Sequence, residues 1–281
     1  MRALNPAHAP LSCRSMSATF VPPTIHPSPA TGGRLLCFDT LRSTNIWARE
    51  HIATLQPGDV VVTRHQTSGR GRFARPWFAA PGAGLTLSLV LDGAALAGVA
   101  PNLAQAAALG VRRTLARAGI AALLHWPNDV MVNCRKIAGL LAESTDAGRR
   151  IVLGLGLNVN LSAATLDAAI PDRPATSMAV ETGHAFDLEA VQSEVIETVA
   201  HTLRELQVGG FAALATEWAE HDGLIGHPLR LALNEAQTVE GNYAGVDELG
   251  RLCLTDAHGE RTAYWAGEVM KIQPNSLQSS A

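Results

Sequence analysis

From Pro228 onward the chain runs as short strand-like segments about ten residues apart. They are Pro228–Leu233, Thr238–Val246, Leu252–Asp256 and Arg261–Ala266, separated by turn pairs such as Leu249-Gly250 and His258-Gly259. Spacing this tight leaves no room for crossover helices and predicts a small antiparallel barrel. Before Gly223 the texture differs. Strands are expected at Arg34–Phe38, Asp59–Arg64, Leu85–Leu91, Ala121–Trp126, Val130–Asn133, Ile137–Glu143 and Ile151–Asn160. Helices are expected at Thr44–Leu55 with Ser43 as N-cap, at the Ala-rich Ala94–Ala118, at Leu188–Leu206 and at Phe211–His221. This mixture predicts an α/β domain over residues 34–223 and a β module over 224–273. Residues 1–33 hold six of the fifteen prolines, two arginines and no acidic residue, and read as a flexible extension. Its acid-free composition faintly resembles a transit peptide, although a plain tail, or a start at Met16, explains it more simply.

Composition excludes several classes. A net charge of -3 argues against a strongly basic nucleic-acid binder and against a polybasic membrane-surface protein. No apolar run is long enough to span a bilayer. Cys13, Cys37, Cys134 and Cys253 are scattered without a CxxC pair, which is no disulfide framework and points to a reducing, cytoplasmic setting. Neither the cysteines nor the histidines show metal-ligand spacing, so no metal cluster of side chains is expected. Of the 22 basic residues only Lys136 and Lys271 are lysines. A chain that uses arginine wherever a generic cation serves keeps a mid-chain lysine where a compact ammonium is needed.

Four segments carry candidate chemistry. Gln66-Thr67-Ser68-Gly69-Arg70-Gly71-Arg72-Phe73-Ala74-Arg75-Pro76-Trp77 combines two glycines with three guanidinium groups. It reads as a loop that orders around an anion. Its GxGxxG-like spacing is not a dinucleotide fingerprint, because Pro76-Trp77 and the strand at Leu85 leave no room for the required helix. No P-loop and no GxSxG elbow occurs. His125-Trp126-Pro127-Asn128-Asp129 is a turn, followed by Lys136 at the head of an apolar strand. Strict alternation there puts Lys136, Ala138, Leu140 and Ala142 on one face. Gly154-Leu155-Gly156-Leu157-Asn158 clears side chains from one face of a strand and leaves Asn158 on that face. Ser43-Thr44-Asn45 places small polar groups at a helix start.

In this order, the segments resemble biotin protein ligases, whose pattern runs STN, QxxGRGRxGRxW, KWPNDxxxxxxKxxGIL, GxGxNxN and a small C-terminal barrel. The resemblance covers roughly residues 34–270. It implies a class II synthetase-like α+β catalytic domain, a mixed sheet flanked by helices, and an SH3-like barrel. It implies ATP-dependent activation of biotin as biotinoyl-5′-AMP, then transfer to a lysine of the biotin carboxyl carrier protein of acetyl-CoA carboxylase. Mg²⁺ would come with ATP. By position, Ser43, Thr44, Asn45 and Gln66 would hold the biotin head. Gly69, Arg70, Gly71 and Arg72 would close over biotin and the adenylate. Lys136 would contact the reacting carboxylate and α-phosphate, making Lys136 and Arg72 the expected catalytic pair. Gly139 and Gly156 would line the floor, Asn158 would face the nucleotide, and Trp77, Asn128 and Asp129 would support the site.

The chain departs from the pattern at two places. His125 stands where the pattern has lysine, removing a fixed charge. Phe73-Ala74 stands for Arg-Gly, which bears on the flexibility of the loop. The extension is too short for a helix-turn-helix domain, so a ligase without repressor function is expected. The resemblance admits a homodimer. The alternatives are a lipoate or octanoate ligase of the same superfamily, disfavoured by the QxxGRGR loop and the barrel, and a biotin sensor that consumes no ATP.

Overall fold

The computed structural model describes residues 22–271. In chain order the first part contains β1 (Thr24–Ser28), β2 (Gly33–Leu41), α1 (Thr44–Glu50), β3 (Val60–Gln66), β4 (Gly69–Arg70), β5 (Pro76–Trp77), β6 (Gly84–Asp92) and α2 (Leu103–Arg117). It continues through β7 (Leu123–His125), β8 (Asp129–Val132), β9 (Arg135–Thr145), β10 (Arg150–Asn158), α3 (Ala163–Ala169), α4 (Met178–Thr182), α5 (Leu188–Gly209) and α6 (Ala212–Glu220). The rest is β11 (Pro228–Ala232), β12 (Thr238–Val246), β13 (Leu252–Thr255), β14 (Arg261–Tyr264) and β15 (Glu268–Lys271).

Eight strands form a mixed sheet in the order β1-β2-β3-β6-β10-β9-β8-β7, in which β2 and β3 are the parallel pair. The apolar side chains of β3, β6, β9 and β10 alternate toward α2 and α5, which bury that face. The two helices approach closely at Gly110, where a Cβ would lie 2.8 Å from the Val199 backbone. The other face carries a smaller cluster around Phe38, Ala48 and Val152 beneath α1, and beyond it the polar positions that build the site.

The C-terminal sheet is antiparallel, in the order β14-β13-β12-β11-β15, and matches the expected SH3-like module. The fifth strand was not expected. It ends at Lys271, which pairs with Leu229. Leu229, Leu231, Tyr243, Leu252 and Leu254 join the same buried cluster as the large sheet, so the two sheets share one core. Polar bonds cross the same seam. Gly250 O accepts from Trp126 Nε1 and Gln105 Nε2, each at 3.0 Å, and Tyr243 Oη donates to Asp222 at 2.6 Å. Burial pushes the Asp222 carboxyl above its usual range, against the pull of that phenol.

Two further expectations are corrected, and two short helices were not expected. The flexible reading of residues 1–33 fails at Thr24–Ser28, which pairs with β2 as an edge strand; residues 1–21 lie outside the described residues. The helix expected over Ala94–Ala118 begins only at Leu103. Asp92 caps a turn by accepting from the Ala94 and Ala95 amides, and Pro101 carries no N–H to continue a helix through it. The short helices α3 and α4 have too few residues to show a period.

Candidate active site

Lys136 owes its direction to an irregularity in β9. Asp129 and Val130 of β8 face Gly139 and Ala138, but Met131 faces Lys136, so Ile137 is an extra residue in the ladder. This bulge re-aims the strand. Lys136 therefore shares a face with Gly139, three residues on, while both Ile137 and Ala138 turn into the core. The face expected from strict alternation, Lys136 with Ala138, Leu140 and Ala142, is overturned by that one residue. Lys136 Nζ lies 2.6 Å from Asp129 Oδ1, and both side chains are one-third exposed (33% each).

Register then assembles a floor without side chains. Gly139 pairs directly with Gly156. The indole of Trp77 rests on it: a Cβ on Gly156 would lie 2.3 Å from the ring, and one on Gly139 3.2 Å from it. The Lys136 ammonium is 5.7 Å from the ring centroid. Trp77 is delivered by the β4–β5 ribbon, where Gly69 pairs with it and a Gly69 Cβ would meet the Trp77 carbonyl at 2.4 Å.

A polar end lies beside this floor. Ser43 caps α1, accepting from the Ile46 amide at 3.5 Å. The Thr44 amide donates to Gln66 Oε1 at 2.9 Å. The Asn45 amide is fully engaged: Oδ1 accepts from Ser88 at 2.5 Å, and Nδ2 donates to Glu143 Oε2 at 2.9 Å and to the Leu141 carbonyl at 3.3 Å. Gly154 makes room for it, since a Cβ there would fall 2.3 Å from Asn45 Oδ1. Arg49 holds the other oxygen of Glu143 at 2.7 Å. Asn158 is buried and donates to the Thr176 carbonyl at 2.9 Å.

The opposite end is cationic. Arg72 donates to Asn128 Oδ1 at 3.3 Å and to the Gly267 carbonyl at 3.0 Å, and Arg75 pairs with Glu268. Burial pulls the Arg72 guanidinium below the ordinary arginine range, with the Asp129 charge acting in the other direction; it stays a cation at neutral pH. Asn128 is fixed in turn by its bond to the Leu140 carbonyl at 2.7 Å. Phe73 and Ala74 sit at φ 55° and 56°, the left-handed region that the glycine of the family pattern would occupy at lower cost.

The polar end, the glycine floor with Trp77, and the cationic end surround one cavity of about 270 Å³. Every residue expected from the sequence lines it, except Gly69, which acts from behind through Trp77. The sequence reading missed Ser88, Glu143, Arg173 and the β15 end. The alternation Leu85-Thr86-Leu87-Ser88-Leu89 marks Ser88 as facing away from the core. Nothing local marks Glu268, which meets Arg75 across 193 residues of chain.

The sequence matches the biotin/lipoate A/B protein ligase family over residues 35–160. It is 35% identical over 227 residues to the biotin–[acetyl-CoA-carboxylase] ligase of Paracoccus denitrificans, spanning 78% of this chain and 93% of that protein. The chain belongs to this ligase family. A second family relative, the bifunctional ligase/repressor BirA of Bacillus spizizenii, is 30% identical over 84% of this chain and 73% of its own length. The fold matches that of biotin protein ligase from Aquifex aeolicus, solved in complex with biotin and ATP, with a TM-score of 0.70 at 23% identity over 84% of this chain and 97% of that one. At that identity the structural likeness speaks for the ligase fold alone.

Proposed function

We propose that this chain is an ATP-dependent biotin–[acetyl-CoA-carboxylase] ligase. The observation that carries the reading is the Gly139–Gly156 floor under Trp77, with a polar end on one side and Lys136 and the arginines on the other. Such a cavity takes an elongated ligand with a hydrogen-bonding head, an apolar body and an acid tail, and sets the tail against a nucleotide.

Biotin fits that description. Its ureido head meets the Ser43 hydroxyl, Thr44 and the Gln66 amide. Asn45 serves as the strut that places α1, since its amide is consumed within the protein. The hydrocarbon chain lies along Trp77. The carboxylate reaches Lys136, which exchanges Asp129 for the new anion. A carboxylate oxygen attacks the α-phosphorus of ATP, the bond to the β-phosphate oxygen breaks, and pyrophosphate leaves with that electron pair. Lys136, Arg70 and Arg72 oppose the repulsion between the two anions and hold them in line. The amine of the carrier lysine then attacks the acyl carbon, loses a proton and expels AMP. No nucleophile from the enzyme is required. Among the described residues no group of three or more His, Cys, Asp or Glu is placed to hold a metal. Mg²⁺ would come with ATP on the triphosphate and lower the negative charge there.

Among the described residues Cys37, Cys134 and Cys253 are free, which supports a cytoplasmic setting, and no helix there is long and apolar enough to cross a membrane. The deciding assay combines the protein with biotin, MgATP and a carrier domain. Biotin-dependent pyrophosphate release and a streptavidin-positive carrier are expected. Biotin binding without ATP consumption would instead make the chain a sensor, and a larger thermal shift with lipoate than with biotin would move it to the lipoate side of the family.

Two substitutions test residue roles. Arg72→Gly removes the two hydrogen bonds of Arg72, to Asn128 and to Gly267, and is expected to release adenylate into solution. Bulk-protein lysines should then be labelled on a streptavidin blot without any carrier, and labelling confined to the carrier would count against the closing role. Glu143→Ala leaves Asn45 Nδ2 with only its longer bond to Leu141. Biotin affinity should fall roughly tenfold, the worth of one hydrogen bond to a charged group, with the maximal rate kept. An unchanged titration would show that Asn45 needs no such support.

A further inference from the structure

The cations around the cavity differ in what already holds them. Lys136 is paired with Asp129, Arg72 is bonded to Asn128 and Gly267, and Arg75 is paired with Glu268. Arg70 and Arg173 line the same cavity, and among the described residues neither guanidinium makes a hydrogen bond or an ion pair; Arg70 belongs to the glycine-rich loop already assigned to the adenylate, which leaves Arg173 without a role. It lies outside every motif on which the family resemblance rests.

Its backbone is nonetheless tied to the strand that carries Lys136. The Lys136 amide donates to the Pro174 carbonyl at 2.9 Å, and the Thr176 amide donates to the Lys136 carbonyl at 2.9 Å, a parallel bridge that sets Ala175 opposite Lys136. The Arg173 amide closes onto the Ile170 carbonyl at 3.2 Å. Arg173 is therefore two residues of extended chain, about 7 Å, from the residue facing Lys136. A fixed backbone carrying an uncommitted guanidinium on the wall of an anion site is a position for a second anionic group. Guanidinium is the side chain suited to phosphate oxygens.

The cavity also has a charge to replace. His125 lines it at the position before Trp126-Pro127-Asn128-Asp129, where the family pattern has a lysine. An imidazole is no permanent cation at neutral pH. We propose that Arg173 binds the β- and γ-phosphates of ATP and supplies the fixed positive charge that His125 does not. This rests on the ligase reading above, in which Lys136 faces the α-phosphate and the rest of the triphosphate runs along the cavity wall.

The test uses the full chain with biotin and MgATP. Arg173→Ala should raise the KM for ATP roughly tenfold or more, the effect of losing one charge-assisted bond, while biotin affinity by titration calorimetry stays as in the parent protein. Adding His125→Lys to Arg173→Ala should restore most of the lost ATP affinity, because the charge returns to the same cavity. The proposal is overturned if Arg173→Ala leaves the KM for ATP unchanged, if it weakens biotin and ATP together, or if His125→Lys recovers nothing. Absence of biotin-dependent pyrophosphate release by the parent protein would instead refute the ligase reading itself.

Discussion

Replacing Lys136 by alanine is expected to abolish biotin-dependent pyrophosphate release, lowering it by about a thousandfold, the scale seen when a preorganised charge donor is removed from a transition state. The fold should survive. The Lys136–Asp129 pair is one-third exposed on both sides, and pairs of that kind contribute no more than about 1 kcal/mol. Unfolding should therefore stay close to that of the parent. Arginine should not rescue the rate, because the ammonium sits against Gly139 and Trp77, where a planar guanidinium needs more room. Pyrophosphate release by Lys136→Ala at near-parent rates would remove Lys136 from the chemistry.

The second large effect is expected at Gly156. A Cβ there would lie 2.3 Å from the Trp77 ring, and valine adds two methyl groups to that clash. The ring must lift from the floor, and the ribbon that delivers it must shift with it. Gly156→Val should weaken biotin binding by about a hundredfold, near 2.8 kcal/mol, and destabilise the protein by about 1–3 kcal/mol from overpacking. Titration calorimetry reads the first and denaturant unfolding the second. Parent-like biotin affinity in this variant would mean that Trp77 does not wall the biotin site.

Much of this was legible in the sequence because the motifs are local. Ser43-Thr44-Asn45 caps a helix, Gly154 and Gly156 alternate on one strand, and Pro127-Asn128-Asp129 turns between two strands; each announces its geometry within a few residues. What stayed hidden depends on long-range register or on one irregular residue. The Gly139–Gly156 pairing exists only once β9 and β10 are aligned. The Arg72–Gly267 and Arg75–Glu268 contacts need the C-terminal sheet to dock on the first. The Asn45 network joins α1, β6 and β9, and nothing in Asn45 itself distinguishes a ligand contact from a strut. The overlong reading of α2 has a different origin: alanine favours helix everywhere, and the turn held by Asp92 prevails over that preference.

The extra residue in β9 bears on how such motifs are compared between proteins. A lysine and a glycine separated by two positions suggest one turn of a helix, yet here that interval is the print of a kinked ribbon, since a regular strand would aim the two in opposite directions. Any relative that keeps two intervening residues and uses both side-chain positions in one hollow must carry the same kink. One with a single intervening residue can dispense with it, so the interval alone tells which of two backbone geometries a new chain has adopted.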